Sequence, residues 1–85
     1  MKVLKLMDNY YILDSRRLFK LCASNDILIL LEKLKTENSQ KIEHEDYSIE
    51  ITDNGEIFIQ YNSSVISYSF TKDDLIVAIE SVIPR

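Results

Sequence analysis

Hydrophobic and polar residues alternate most regularly over residues 47–61, YSIEITDNGEIFIQY, where the only glycine of the chain stands between two apolar-polar runs. Two turns compete here, and they place side chains on opposite faces. A two-residue turn at Asn54-Gly55 sets Asp53 against Glu56 and mixes polar with apolar residues on both faces. A three-residue loop, Asp53-Asn54-Gly55, with the glycine left-handed in a G1 bulge, instead pairs Ile51 with Ile57, Ile49 with Ile59 and Tyr47 with Tyr61. Because a one-residue slip would move a strand's whole apolar set into water, the second register is the expected one.

The alternation resumes after a turn at Ser63-Ser64, with Ile66, Tyr68 and Phe70 on the apolar side, so that Tyr61 aligns with Ile66, Ile59 with Tyr68 and Ile57 with Phe70. This predicts an antiparallel three-stranded meander over about 46–52, 56–62 and 65–70 with one dry face. The other face carries Ser48, Glu50, Thr52, Glu56, Gln60, Ser67 and Ser69, with Phe58 and Val65 as its apolar exceptions. Phe58 is expected to stand exposed between Glu50 and Ser69.

The period then changes to that of a helix. Thr71 and Asp74 form a capping-box pair, Asp73 and Asp74 suit the positive end of the helix dipole, and Pro84 ends a helix spanning 72–83. Leu75, Ile76, Ala78, Ile79, Val82 and Ile83 make its apolar side, and Val77 points away. Nearer the amino end, Asp14 or Ser15 as a cap and Leu18, Phe19, Leu21 and Cys22 as contacts predict a helix over about 15–23. Ser24, Asn25 and Asp26 interrupt it and precede a second helix over about 26–36, with Ile27, Leu30, Leu31 and Leu34 as its stripe. Residues 2–13 fit a hairpin, Leu4 and Leu6 around Lys5, an Asp8-Asn9 turn and then Tyr10 to Leu13. A helix with Val3, Leu6, Met7, Tyr10 and Leu13 on one side fits as well; the hairpin is preferred. The polar run TENSQKIEHED over 36–46 reads as a connecting loop. The expected fold is therefore α+β in two layers, helices covering one face of an antiparallel sheet, as a single domain over 1–85.

Composition adds bounds. At 46% hydrophobic residues in 85, the chain can build a core, but a domain this small is marginal and gains from self-association or a partner. Its single cysteine cannot form an internal disulfide, and no apolar stretch has the length of a membrane span, so the expected setting is cytoplasmic and no membrane is implicated. Cys22, among Leu18 and Leu21, reads as a small apolar filler.

Charge is uneven: seven basic residues face four acidic ones up to residue 35, and three face ten beyond it. Such segregation steers association with a charged partner or a second copy. Two helices followed by a hairpin would also compose a helix-turn-helix with a wing, using Arg16, Arg17 and Lys20 on phosphates. Against that stand the carboxylates of the wing, Glu50, Asp53 and Glu56, and a pI near 4.8. The acidic half matches better a mimic of a phosphate backbone, seated in the nucleic-acid site of another protein.

Enzymatic chemistry finds little footing. Glu43-His44-Glu45-Asp46 offers metal ligands, but no second histidine or cysteine completes a zinc set, and one glycine leaves no phosphate-cradling loop. No cofactor is expected. The remaining reading is a non-enzymatic interaction module, of inhibitor, immunity or adaptor type, that binds a protein with a basic surface. Its candidate partner-binding residues are Phe58 as anchor with Glu50, Asp53, Glu56 and Val65 around it. An exposed edge at 47–52 offers another route to pairing with a second chain.

Overall fold

The computed structural model describes residues 1–14, 16–61 and 63–84, and among these all side chains except those of 66–69. The chain is α+β, with two antiparallel sheets and two helices among the described residues. Strands β1 (Lys2–Leu6), β2 (Asn9–Asp14) and β3 (Arg17–Ala23) form the first sheet in that order. A 3₁₀ turn at Ser24–Asp26 leads into helix α1 (Ile27–Thr36). Strands β4 (Gln40–Glu43), β5 (Tyr47–Ile51), β6 (Glu56–Tyr61) and β7 (Ser64–Thr71) form the second sheet, and helix α2 (Lys72–Val82) follows.

The central hairpin adopts the expected register, Tyr47 opposite Tyr61, Ile49 opposite Ile59 and Ile51 opposite Ile57. Gly55 has φ +79°, its N–H donates to Thr52 O at 2.9 Å, and Thr52 N–H donates to Glu56 O at 2.9 Å, which closes a three-residue loop with the glycine left-handed. All four isoleucines of the two strands are fully buried. Gly55 O also accepts from Lys72 N–H at 2.7 Å, tying the hairpin tip to the first turn of α2. There the capping box is complete: Asp74 N–H donates to Thr71 Oγ1 at 3.3 Å and Thr71 N–H to Asp74 Oδ2 at 2.9 Å. Leu75 and Ile79 are buried, Ile76, Ala78, Val82 and Ile83 pack partly buried on the core, and Val77 faces water.

The amino-terminal hairpin forms as preferred, but its turn is Met7-Asp8, since Leu6 pairs with Asn9. Met7 has φ +56°, a left-handed conformation that glycine tolerates better. In α1 the expected stripe, Ile27, Leu30, Leu31 and Leu34, is buried. The preceding polar residues make the 3₁₀ turn without a side-chain capping bond.

Three expectations are corrected. Residues 17–23 are strand β3, not a helix. Asp14, expected to cap it, ends β2 and pairs with Arg17, while the alternative cap Ser15 lies outside the described residues. The segment RLFKLCA satisfies both periods, and pairing along β2 decides for the strand, with Phe19 and Leu21 buried. Within the expected loop 36–46, residues 40–43 form β4, which pairs with β5 from Gln40–Ile51 to Glu43–Ser48. Hence β5 is an inner strand and offers no free edge; the edge on that side is β4, a short strand carrying charge, as exposed edges commonly do, and β7 is the other.

Finally, β6 and β7 are displaced by two residues from the expected register. Ile59 faces Ile66, and Tyr61 faces Ser64 at the start of β7, so the turn does not fall at Ser63-Ser64. A bulge between Glu56 and Phe58 restores the original alignment at Glu56–Thr71. The expected inward placement of Ile66 and Tyr68, and the outward one of Ser67 and Ser69, concern side chains outside those described.

One contiguous core joins the pieces. Val3, Tyr10, Ile12, Phe19 and Leu21 from the first sheet meet the isoleucines of β5 and β6, Phe70, and the stripes of both helices. At about 1.5–3 kcal/mol for each fully buried aliphatic or aromatic side chain, this cluster is the main stabilising term. The Tyr47 hydroxyl donates to Lys20 O at 2.8 Å and its ring meets Phe19 edge-on at 5.4 Å, so the two sheets are joined by a polar and an aromatic contact.

Candidate functional site

Because strand residues alternate between faces, the ladders define what the four-stranded sheet shows to solvent. One row runs Lys41, Glu50 and Phe58; the next runs Glu43, Ser48, Gln60 and Val65; Glu56 stands opposite Thr71 at the hairpin end. Thus Phe58, Glu50, Val65 and Glu56 share a face, and Asp53 sits exposed in the turn at its end.

Phe58 is half-buried, not fully exposed, with Glu50 as one neighbour and Ser67 in place of the expected Ser69 as the other. Val65, 64% exposed, is a diagonal neighbour of Phe58 across β6 and β7, within reach of side-chain contact. The two apolar groups are thus neighbours on this face. Glu50 and Glu56 are exposed beside it, and the link from Gly55 to Lys72 brings Asp73 and Asp74 of α2 to the same end as Asp53.

The strand missed in the sequence completes the face. Lys41 lies opposite Glu50, and its Nζ is 3.3 Å from Glu43 Oε1. Both side chains are largely exposed, so this pair adds little stability. It leaves the face acidic, with Glu43, Glu50, Glu56 and Asp53 against Lys41, while Lys72, bonded through its N–H to Gly55 O, adds a cation at the hairpin end. Gln40 and Ile42 on the inward positions of a short alternation were the available signal for β4.

Tyr47 packs on the core as expected, whereas Tyr61, also assigned to it, is 45% exposed at the open end of the sheet. Burial raises the Tyr47 hydroxyl above the usual tyrosine range, opposed by its bond to Lys20 O and reinforced by Tyr11 and Asp46.

The other candidates are dispersed. Arg17 begins β3 and is exposed, Lys20 is half-buried on the same strand, and Arg16 lies in the preceding turn. With β3 in place of the first helix, the two-helix unit of a helix-turn-helix is not formed by these residues. His44 follows β4; its N–H donates to Tyr47 O at 2.9 Å and its ring rests 4.8 Å from that of Tyr47. Among the described residues no group of three or more histidine, cysteine, aspartate or glutamate side chains is placed to hold a metal ion. Cys22 sits half-buried on β3, where desolvation first and Asp26 second, against Lys20, push its thiol up to about 11. At neutral pH it is a thiol, not a thiolate nucleophile.

Among the described residues no helix is long and apolar enough to cross a membrane. No family model, curated protein or solved structure matches this chain.

Proposed function

We propose that this chain is a non-enzymatic binding protein of the cytoplasm. It engages a protein with a basic surface through the solvent face of its four-stranded sheet, as an inhibitor, immunity-type or adaptor module. The observation that carries the reading is the half-buried Phe58 with Val65 diagonal to it, on the face that also carries Glu50 beside the ring, Glu56 and Asp53 towards the hairpin end and Glu43 on β4. A ring already held by its neighbours loses little side-chain entropy when covered, and aromatic anchors of this kind dominate the energy of small interfaces. The carboxylates raise the on-rate for a cationic partner and disfavour an acidic one. Proteins that bind nucleic acid carry such cationic surfaces, and an acidic sheet face of this size suits that class of partner.

The experiment is affinity capture from the native cell with wild type, Phe58→Ala and Glu50→Lys in parallel. The expected result is one stoichiometric protein retained by wild type and lost from both variants, with thermal midpoints close to wild type. Retention of the same protein by all three, or salt-sensitive retardation of DNA by the purified chain with no protein partner, would overturn the reading. A large loss of stability in Phe58→Ala would show that the ring serves the fold.

A further inference from the structure

The three-stranded sheet has a second face that the core does not use. Val3, Tyr10, Ile12, Phe19 and Leu21 point into the core. The intervening positions are not the polar residues that a solvated sheet face carries. Cross-strand partners put Leu13 opposite Leu18, Leu4 opposite Tyr11 and Leu6 opposite Asn9. Leu6 and Leu18 are each 45% exposed, Leu4, Tyr11 and Leu13 are half-buried, and none of the five belongs to the core or to the partly buried residues packed on it. The same rows place Lys2 beside Leu13 on the β1 edge and Lys20 beside Tyr11 on the β3 edge. The face is an apolar strip with Lys2 and Lys20 on opposite sides; at the β1 edge Lys2 and Leu4 also line a groove with Asp74, Val77 and Val82 of α2.

From this placement we infer that the outer face of the three-stranded sheet is a docking site for an amphipathic helix of a partner protein, apolar along one stripe and acidic on both flanks of it. This surface is separate from the acidic face of the other sheet and opposite to it in sign, so it stands whether or not that face binds a protein.

Size selects the helix. Three strands about 4.8 Å apart and about five residues long give a strip roughly 14 Å wide and 17 Å long. A single helix of about three turns, 10–12 Å across and some 16 Å long, covers it. A second copy of the chain laid face to face would place the cations of both strips, Lys2 and Lys20 of each, in one interface with no carboxylate of the strip to offset them.

The probe is a fluorescent, helix-stapled peptide of about twelve residues, three turns, with leucines on one stripe and glutamates on both flanks; the control carries lysines in place of the glutamates. Anisotropy titration of the full chain is expected to show the acidic peptide bound about tenfold more tightly than the control, from two charge pairs at a partly desolvated rim. The double variant Lys2→Glu/Lys20→Glu should reverse that order, Leu18→Ser should weaken both peptides, and Phe58→Ala should change neither. Thermal unfolding of each variant verifies the fold. Equal binding of the two peptides, no binding of either, binding to phosphatidylserine vesicles in preference to the acidic peptide, or a dimer in sedimentation that Leu18→Ser dissociates would each overturn the inference.

Discussion

Replacing Gly55 by alanine isolates the hairpin loop from everything else in the fold. The glycine has φ +79°, and a Cβ built on it meets only Lys72 Cβ, at 3.8 Å, an ordinary van der Waals contact. Steric exclusion is therefore not part of the cost. What remains is the left-handed backbone, about 1–2 kcal/mol for an L-residue. Against it stands about 0.4–1 kcal/mol from the smaller conformational freedom of alanine in the unfolded chain. The net loss is about 1 kcal/mol, which for a chain of this length lowers the thermal midpoint by roughly 4–8 °C. Gly55→Asn should lose less, since asparagine populates the left-handed region more readily. Calorimetry or circular dichroism melting of the three proteins measures this, and hydrogen exchange at the Lys72 amide, bonded to Gly55 O, reports whether the tie to α2 loosens with the loop. Alanine as stable as wild type would refute the left-handed loop and with it the register that sets Phe58 on the solvent face.

Other perturbations test separate links. Thr71→Ala removes the acceptor for Asp74 N–H and should cost about 1 kcal/mol, read by denaturant titration at unchanged m-value. Cys22 should react slowly with an alkylating reagent at pH 7.5 and quickly only near its raised value of about 11. The same shift has a stability consequence. Burial raises both the Cys22 thiol, from 9.0, and the Tyr47 hydroxyl, from 10.0, so their favourable protonated forms are fully present below pH 9. Stability should then fall as pH rises from 9 through 11, and Cys22→Ala should lessen the early part of that fall. Urea midpoints across this range check it, and a flat profile would contradict the burial of both groups.

The parts of the fold that were legible in the sequence are those where local chemistry and burial agree. The hairpin over 47–61 carries its own turn, and its two strands have a single register that dries every isoleucine. The cap at Thr71 and the stripe of α1 are equally local. Strand β3 was not legible, because Leu18, Phe19, Leu21 and Cys22 satisfy a helical period as well as an alternating one, and only the hydrogen bonds offered by β2 distinguish them. β4 was hidden for a different reason. As an edge strand of four residues it buries little, and its short alternation, Gln40 and Ile42 inward, contains one aliphatic residue, too little to set it apart from a polar loop. The two-residue displacement of β7 is invisible to an alternation argument, since a shift of two leaves every residue on its original face.

The candidate face follows the same division. Glu50 and Phe58 were placed together because both lie in the hairpin, whereas Lys41 and Glu43 entered only with β4. The apolar outer side of the first sheet depended on β3 being a strand: read as a helix, Leu18 and Lys20 had no relation to Leu13 and Tyr11.

The central claim is that the outer face of the four-stranded sheet binds a cationic protein with Phe58 as anchor and the carboxylates as the steering field. The most direct measurement is the association and dissociation kinetics of the captured partner with wild type, Phe58→Ala and Glu50→Lys over a range of salt. Phe58→Ala should speed dissociation at least about tenfold, as loss of an anchor does, with association nearly unchanged. Glu50→Lys should slow association and flatten its salt dependence. Kinetics identical to wild type in both variants, at unchanged stability, would place the binding surface elsewhere on the molecule and contradict the account.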